Sequence, residues 1–462
     1  MFACCLVGCQ TAPAAGANAI VHREAAAVTS AAAPAPAPAA SAPPGGMDSG
    51  STAVAFIAAP TPTATAVPAS PTPKAPAPTT VALAYLQALQ AQQWPLMWQE
   101  LHPLARKRWP DEQAFARFLA ARFAPGGVST IATVGVGDPQ PLPAWDDVRF
   151  VPRAMPAVRV AATLMLNAKA PYAVPPSDLK DQQPIVLAQD GGQWKVVDGG
   201  PADVQGPVLV PSHPAVRRLR VPIMMYHHVA PAPKRTPQMG DYDYRLLVDL
   251  TVTPEDFAAQ LDWLQAHGYQ TITLPELMAA LYDGYTLPPH PIILSFDDGY
   301  ADNAQYAAPA LLQRRMVGTF NIITGLVGST GGPLQYMTWP EITSLAAEGM
   351  SIQSHTVLHR DLGTLSEAEE QHELLESRQA LGQHLGQAPQ FICYPSGEPF
   401  RSGTVAAQQR LLRLVAQDGY VGGLLDPKVA GAVQSSATPD QLTRIRVAGQ
   451  ESLSEFTASI MG

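Results

Sequence analysis

From residue 214 to residue 462, short apolar runs alternate with segments of helical periodicity, and few folds accommodate that pattern. The strand candidates are Pro222–Tyr226, Thr271–Leu274, Pro291–Phe296, Gly318–Ile323, Ser351–Ser354, Gln390–Tyr394, Val421–Leu425 and Thr443–Val447. A nearly uninterrupted apolar stretch such as Ile292 to Phe296 suits a strand buried on both faces. The helices between the strands announce their starts. Thr253-Pro254-Glu255-Asp256 offers an N-cap threonine, proline at the first helical position and acids in the first turn, and Gly268 closes that helix. Thr338-Trp339-Pro340-Glu341 reads as a capping box. Such alternation implies a parallel sheet or barrel of the α/β class, with chemistry at the C-terminal ends of the strands.

The rest of the chain is of a different kind. At 462 residues it exceeds one ordinary domain. Its 47 prolines are about twice the usual share of roughly 5%. Most of the excess lies in residues 10–79, a stretch of Ala, Pro, Ser and Thr that is expected to be a disordered Ala/Pro-rich linker. Residues 80–203 read as a small α+β accessory domain. Helices are expected over 81–101 and 111–123, and strands over 128–136, 157–166, 184–188 and 194–197. No catalytic constellation stands out there. The net charge of −9 offers no basic stripe, which argues against a nucleic-acid partner. Three of the four cysteines (Cys4, Cys5 and Cys9) crowd the first nine residues, so no disulfide framework spans the folded part, and Cys393 is expected to be a small buried side chain. No run of 18 apolar residues is present.

Four constellations carry chemistry. Asp297-Asp298-Gly299 ends an apolar strand candidate. Two carboxylates in one site repel unless a cation sits between them or one is protonated, although a plain turn explains the triplet equally well. His355 and His359 follow the strand candidate Ser351–Ser354. Histidines four apart meet on one face if the segment turns helical, and each offers a neutral nitrogen to a metal. With one aspartate they form a two-histidine, one-carboxylate set that leaves positions open for water and substrate. Non-haem iron oxygenases use the same ligand types, but these residues lack their usual His-x-Asp pair. Tyr394-Pro395-Ser396-Gly397 is a turn after a strand, able to aim a backbone N–H at a developing oxyanion. Finally, His227 and His228 end the first strand of this region. Adjacent residues of a regular strand cannot both face one cavity, so one is expected to be functional and the other structural.

Together, Ser295-Phe296-Asp297-Asp298-Gly299 and His355-Thr356-Val357-Leu358-His359 resemble the polysaccharide deacetylase family, also called the NodB-homology or carbohydrate esterase family 4 domain, over about residues 220–450. The resemblance implies a distorted (β/α) barrel. It implies that Asp297 is the general base, that Asp298, His355 and His359 hold a divalent metal, usually Zn2+, and that Tyr394, Pro395 and Ser396 form the oxyanion or substrate-binding turn. This chain lacks the arginine that many members carry before that turn, has serine in place of an aromatic residue, and lacks the C-terminal histidine motif that supplies the acid. Met225-Tyr226-His227 is similar to the poly-β-1,6-N-acetylglucosamine deacetylase subgroup, in which the acid comes from the first strand. By that similarity His227 is the candidate acid, with His228 in reserve. Where the histidine motif is missing the chain instead runs Leu442-Thr443-Arg444-Ile445-Arg446-Val447, and Arg444 is expected to orient the base through a charge-assisted pair. The implied reaction removes N-acetyl groups from N-acetylglucosamine units of a surface or wall polysaccharide, either poly-β-1,6-N-acetylglucosamine or peptidoglycan. An O-acetyl esterase on the same fold and a catalytically degenerate wall-binding lipoprotein are the alternatives. Residues 80–203 resemble the nuclear-transport-factor-like cone. Leu6-Val7-Gly8-Cys9 resembles the lipobox of a truncated signal over residues 1–9, so an extracytoplasmic protein is expected, secreted or anchored through a lipid at Cys9.

Overall fold

The structure, a computed structural model, describes residues 75–462 except 124–128, 169–179, 182, 207, 209–214, 238, 331–333 and 427–430. The expected lipobox at Cys9 and residues 10–74 of the expected linker lie outside the described residues.

The first helix, Pro78–Gln90, begins within the expected linker, with proline in its first turn. The single helix expected over 81–101 is two, Pro78–Gln90 and Trp94–Glu100. Gln92 is left-handed (φ 58°) and Pro95 opens the second helix, a residue that a continuous helix would not tolerate in its interior. With Glu112–Phe123, these helices pack on an antiparallel sheet of β1 (Ser129–Trp145), β2 (Met155–Ala168), β3 (Lys180–Asp181), β4 (Ile185–Asp190) and β5 (Gln193–Asp198), in the order β1-β2-β4-β5 with β3 on β2. Strand β1 runs well beyond the expected 136, through Pro139, Pro141 and Pro143. It lies at the sheet edge, the place in a sheet where proline is tolerated.

The second unit is a curled parallel sheet. Its strands are β7 (Ile223–Tyr226), β10 (Gln270–Thr271), β11 (Pro291–Phe296), β12 (Thr319–Ile322), β13 (Ser351–Ser354), β14 (Phe391–Cys393), β15 (Gly422–Leu424) and β17 (Ile445–Arg446). The order is β15-β14-β13-β12-β11-β7-β17, with β10 on β11. Leu442, just before β17, also bridges Leu424 of β15, so the two ends of the sheet meet and a distorted barrel closes. Short strands flank it: β6 (Arg218–Arg220) pairs with β16 (Val433–Ser435), and β8 (His228–Val229) with β9 (Thr251–Val252). The strand expected over Thr271–Leu274 ends at Thr271, because Thr273 caps the helix Leu274–Tyr282 in a capping box with Glu276.

Helix Pro254–Ala266 buries Phe257, Leu261 and Leu264 against the barrel, where Phe296 stacks between Tyr226 and Phe320 at 5.2 and 4.8 Å. Truncating such a buried aromatic to alanine costs about 3–5 kcal/mol.

The two units share packing. Tyr285 lies edge-on to Trp109 at 5.4 Å, and buried Arg122 meets Asp283 at 3.3 Å. Val148 donates to the carbonyl of Glu348, and a Cβ on Gly349 (φ 99°) would stand 2.2 Å from the Asp147 carboxylate, so only glycine admits this approach. These contacts lie on segments leading into β11 and β13. The small sheet therefore abuts the N-terminal ends of the barrel strands and leaves their C-terminal ends clear.

Candidate active site

At those C-terminal ends the expected residues converge. β11 stops at Phe296 because Asp298 and Gly299 both turn left-handed, at φ 75° and 79°. That bend is what brings two neighbouring carboxylates to one cavity. Asp298 Oδ1 lies 3.3 Å from His355 Nε2 and 3.6 Å from His359 Nε2. The two imidazoles stand edge to face with centroids 4.7 Å apart. The histidines do not meet on a helix, as their spacing suggested. Residues 355–361 form an irregular loop in which Thr356 and His359 are left-handed, at φ 65° and 54°.

The donor set fits a divalent metal. Asp298 Oδ1 is buried and has no hydrogen-bond partner, a costly state unless a cation faces it. His355 Nδ1 lies 2.8 Å from the carbonyl oxygen of Cys393, an acceptor only, so Nδ1 carries a proton and Nε2 is the nitrogen turned to Asp298, available to a cation once its own proton is displaced. With no cation there, burial is outweighed by Cys393 and Asp298, which hold this imidazole well above its ordinary pKa. Burial, reinforced by neighbouring His355, lowers His359 to about 4, which leaves its imidazole neutral at neutral pH. Ligand atoms of Asp298, His355 and His359 all lie within 4.8 Å of one another.

Asp297 is held differently. Its Oδ1 accepts from Arg444 Nη1 at 2.8 Å and from Asn321 Nδ2 at 2.7 Å. Burial would raise this carboxyl, but Arg444 and nearby His355 outweigh it and hold the group well below the usual carboxylate range. Arg444 is itself fixed by the carbonyl of Leu425 and by the Ser295 hydroxyl.

The histidine pair of the first strand separates as its alternation required. His228 is buried, bonds to Asp302 through Nδ1 at 2.6 Å and stacks on Tyr300 at 3.7 Å. His227 is only half-buried and lies in the field of Asp297 and Asp298, with its backbone carbonyl tied to Asn303. Burial lowers its pKa; the two carboxylates pull the other way, while Arg446 and Arg444 add to the fall.

In the turn after β14, Ser396 and Gly397 are left-handed. Tyr394 is fully buried and its hydroxyl donates to the carbonyl of Asp440, so its side chain supports the turn and does not face a substrate. Pro395 is also buried and has no N–H. The N–H groups of Tyr394 and Gly397 donate to Leu424 and Tyr394 carbonyls, which leaves the Ser396 N–H as the turn's candidate donor to a ligand. Cys393 is buried as expected, and its sulfur lies beside Asp297 and His355.

Asn321, Asn303 and Glu373 escaped the sequence reading. Each is 0% exposed and each bonds a site residue or the loop that carries one. Only Asn321 left a trace, as an amide inside the strand run Thr319–Ile322, where every side chain is buried.

The family model for polysaccharide deacetylases matches residues 284–420. That span includes Asp297, Asp298, His355, His359 and the Tyr394–Gly397 turn, but neither His227 nor Arg444. The chain is 29% identical over 242 residues to YxkH of Bacillus subtilis (strain 168), whose name assigns it to the polysaccharide deacetylases; the alignment covers 52% of this chain and 76% of that one. Among solved structures, the Streptococcus pyogenes deacetylase PplD in complex with acetate is 27% identical, with a TM-score of 0.45, covering 53% of this chain and 99% of that one. IcaB from Ammonifex degensii is 20% identical, with a TM-score of 0.41, covering 52% and 97%. The barrel of this chain is a polysaccharide deacetylase domain.

Proposed function

We propose that the chain is a metal-dependent N-deacetylase of N-acetylglucosamine units in a surface or wall polysaccharide, and that poly-β-1,6-N-acetylglucosamine is its substrate in preference to peptidoglycan. The observation that carries the metal dependence is the unpartnered Asp298 Oδ1 facing two histidine nitrogens. The glycan is favoured by the similarity of Met225-Tyr226-His227 to the poly-N-acetylglucosamine subgroup.

Asp298, His355 and His359 would hold the cation, most simply Zn2+. When bound, it supplies Lewis acidity toward the acetamide carbonyl and acidifies water. The protein's own groups do the rest. Asp297, pinned through Oδ1, takes the proton of the attacking water at its other oxygen as the new C–O bond forms. The Ser396 N–H supports the charge that develops on the carbonyl oxygen. His227 passes a proton to the amine as the C–N bond breaks, and acetate and the free amino sugar leave. A lowered pKa makes His227 a stronger acid, at the cost of a smaller protonated fraction at neutral pH.

The test is acetate release from a panel of acetylated glycans, with and without chelator. Release from β-1,6-linked N-acetylglucosamine oligomers, abolished by chelation and restored by Zn2+, is the expected result. Release from acetylated xylan alone would make the protein an O-acetyl esterase. Undiminished release after complete chelation would overturn the metal requirement.

A further inference from the structure

We propose that Glu373, on helix Glu367–Leu385, is a positioning residue that shapes the loop carrying His355 and His359. The inference rests on the reading of those histidines as metal ligands. Glu373 is 0% exposed, and its Oε2 accepts the backbone N–H groups of both Val357 and Leu358, at 2.9 and 2.8 Å. Its other oxygen is buried without a hydrogen-bond partner. A carboxyl group so placed is costly, and the two bonds to the loop are what it holds.

Those bonds explain why the loop is not helical. The N–H groups of Val357 and Leu358 are spent on a side chain 16 and 15 residues away, respectively, instead of on the preceding turn. The two gripped residues are flanked by left-handed ones, Thr356 before and His359 after. For a β-branched threonine this costs about 1–2 kcal/mol, and such a conformation persists only where its surroundings over-determine it. They do so here. The carbonyls of Thr356 and Val357 accept from the N–H groups of Thr324 and Gly325, and His359 N–H donates to Thr356 Oγ1. One turn along the same helix, Ser377 bonds the hydroxyl of Ser354, which in turn accepts from Thr356 N–H. Glu373 grips the middle of the loop and His355 and His359 stand at its ends. Releasing the middle lets His359 drift from Asp298 while β13 still holds His355 in place.

The experiment compares full-length wild type, Glu373→Ala, Glu373→Gln and Leu374→Ala, the last a buried neighbour on the same helix that faces a separate apolar cluster. Each apoprotein is titrated with Zn2+, and exchange of the Val357 and Leu358 amides is followed. Residues that orient metal ligands typically contribute 10–100-fold to metal affinity. Glu373→Ala is expected to weaken Zn2+ binding about tenfold or more and to expose both amides. Glu373→Gln, which keeps an acceptor oxygen, should recover most of the affinity, and Leu374→Ala should lower the melting temperature without changing Kd. Unchanged affinity in Glu373→Ala, or an equal loss in Leu374→Ala, would overturn the proposal. If the wild type binds no divalent cation, the metal reading fails by itself. Amide protection lost only in Glu373→Ala would then still support the positioning role, and unprotected amides in the wild type would refute it.

Discussion

Arg444 donates through Nη1 to Asp297 Oδ1 at 2.8 Å, and the two side chains are almost wholly buried. The pair sets the charge state of the proposed base. Burial alone would push the Asp297 carboxyl up, and Arg444 is the foremost of the groups that reverse this. The carboxylate is therefore ionised throughout the working pH range, and acid inactivation of the wild type is not expected to begin with it. In Arg444→Gln the folded-state value rises, so activity should start to fall at a higher pH as the medium is acidified. The buried carboxylate left behind should also lower stability by about 3–5 kcal/mol. Asp297→Asn should bind Zn2+ as the wild type does and lose about 10²–10⁴-fold in turnover. A pH–rate profile with a metal titration checks both variants, and near-full activity of Asp297→Asn would remove Asp297 from its assigned role.

Asn321 completes the cradle from β12, placing its amide 2.7 Å from the same oxygen. A hydrogen bond to a charged group contributes about 1.5–3 kcal/mol. Asn321→Leu, close in size and suited to a buried strand, should keep the fold and lower kcat by roughly 10–100-fold with little change in KM. Steady-state kinetics decide this, and a loss confined to KM would show that Asn321 serves substrate binding and not the base.

His227 and His228 should part company on mutation. His228 is committed to Asp302 and Tyr300, so His228→Gln is expected to act mainly on stability, by about 1–3 kcal/mol. His227→Gln should leave the melting temperature nearly unchanged and reduce turnover by about 10²–10⁴-fold. Thermal unfolding and acetate release on the two variants check the division. Equal kinetic losses would contradict it.

What was legible in the sequence follows from where each structural decision is made. Strand β11 and its terminal acids could be read because the apolar run, the two carboxylates and the glycine are contiguous. The histidine spacing identified the pair but not its geometry, since the course of Thr356 to Leu358 is set by Glu373, Thr324 and Gly325, which are distant in sequence. Arg444 is adjacent to Asp297 only because β17 pairs with β7 after more than 200 residues of chain, and only its charge, in a C-terminal run that departs from the family's pattern, pointed to it. Asn303 and Asn321 are single amides whose purpose exists only in the folded barrel. In the smaller unit the helices and strands were recognisable, but the break at Gln92 and the long proline-bearing edge strand were settled by packing.

Asp198, at the end of β5, links this smaller unit to pH. Burial raises its carboxyl to about 7, and the neighbouring Asp203 adds to the rise while Arg149 opposes it. In the unfolded chain the group titrates near 3.9. Between those values the folded state binds the proton that the unfolded state has lost, so stability declines as pH rises from about 4 to about 7 and stays lower above that. Asp198→Asn removes the titration while keeping an oxygen to accept the Gly200 N–H that Asp198 now binds at 2.8 Å. The variant should match the wild type near pH 4 and exceed it at pH 8 by on the order of 4 kcal/mol. Denaturant unfolding at the two pH values measures the difference, and a gain of equal size at both would mean that the carboxylate's charge is not its cause.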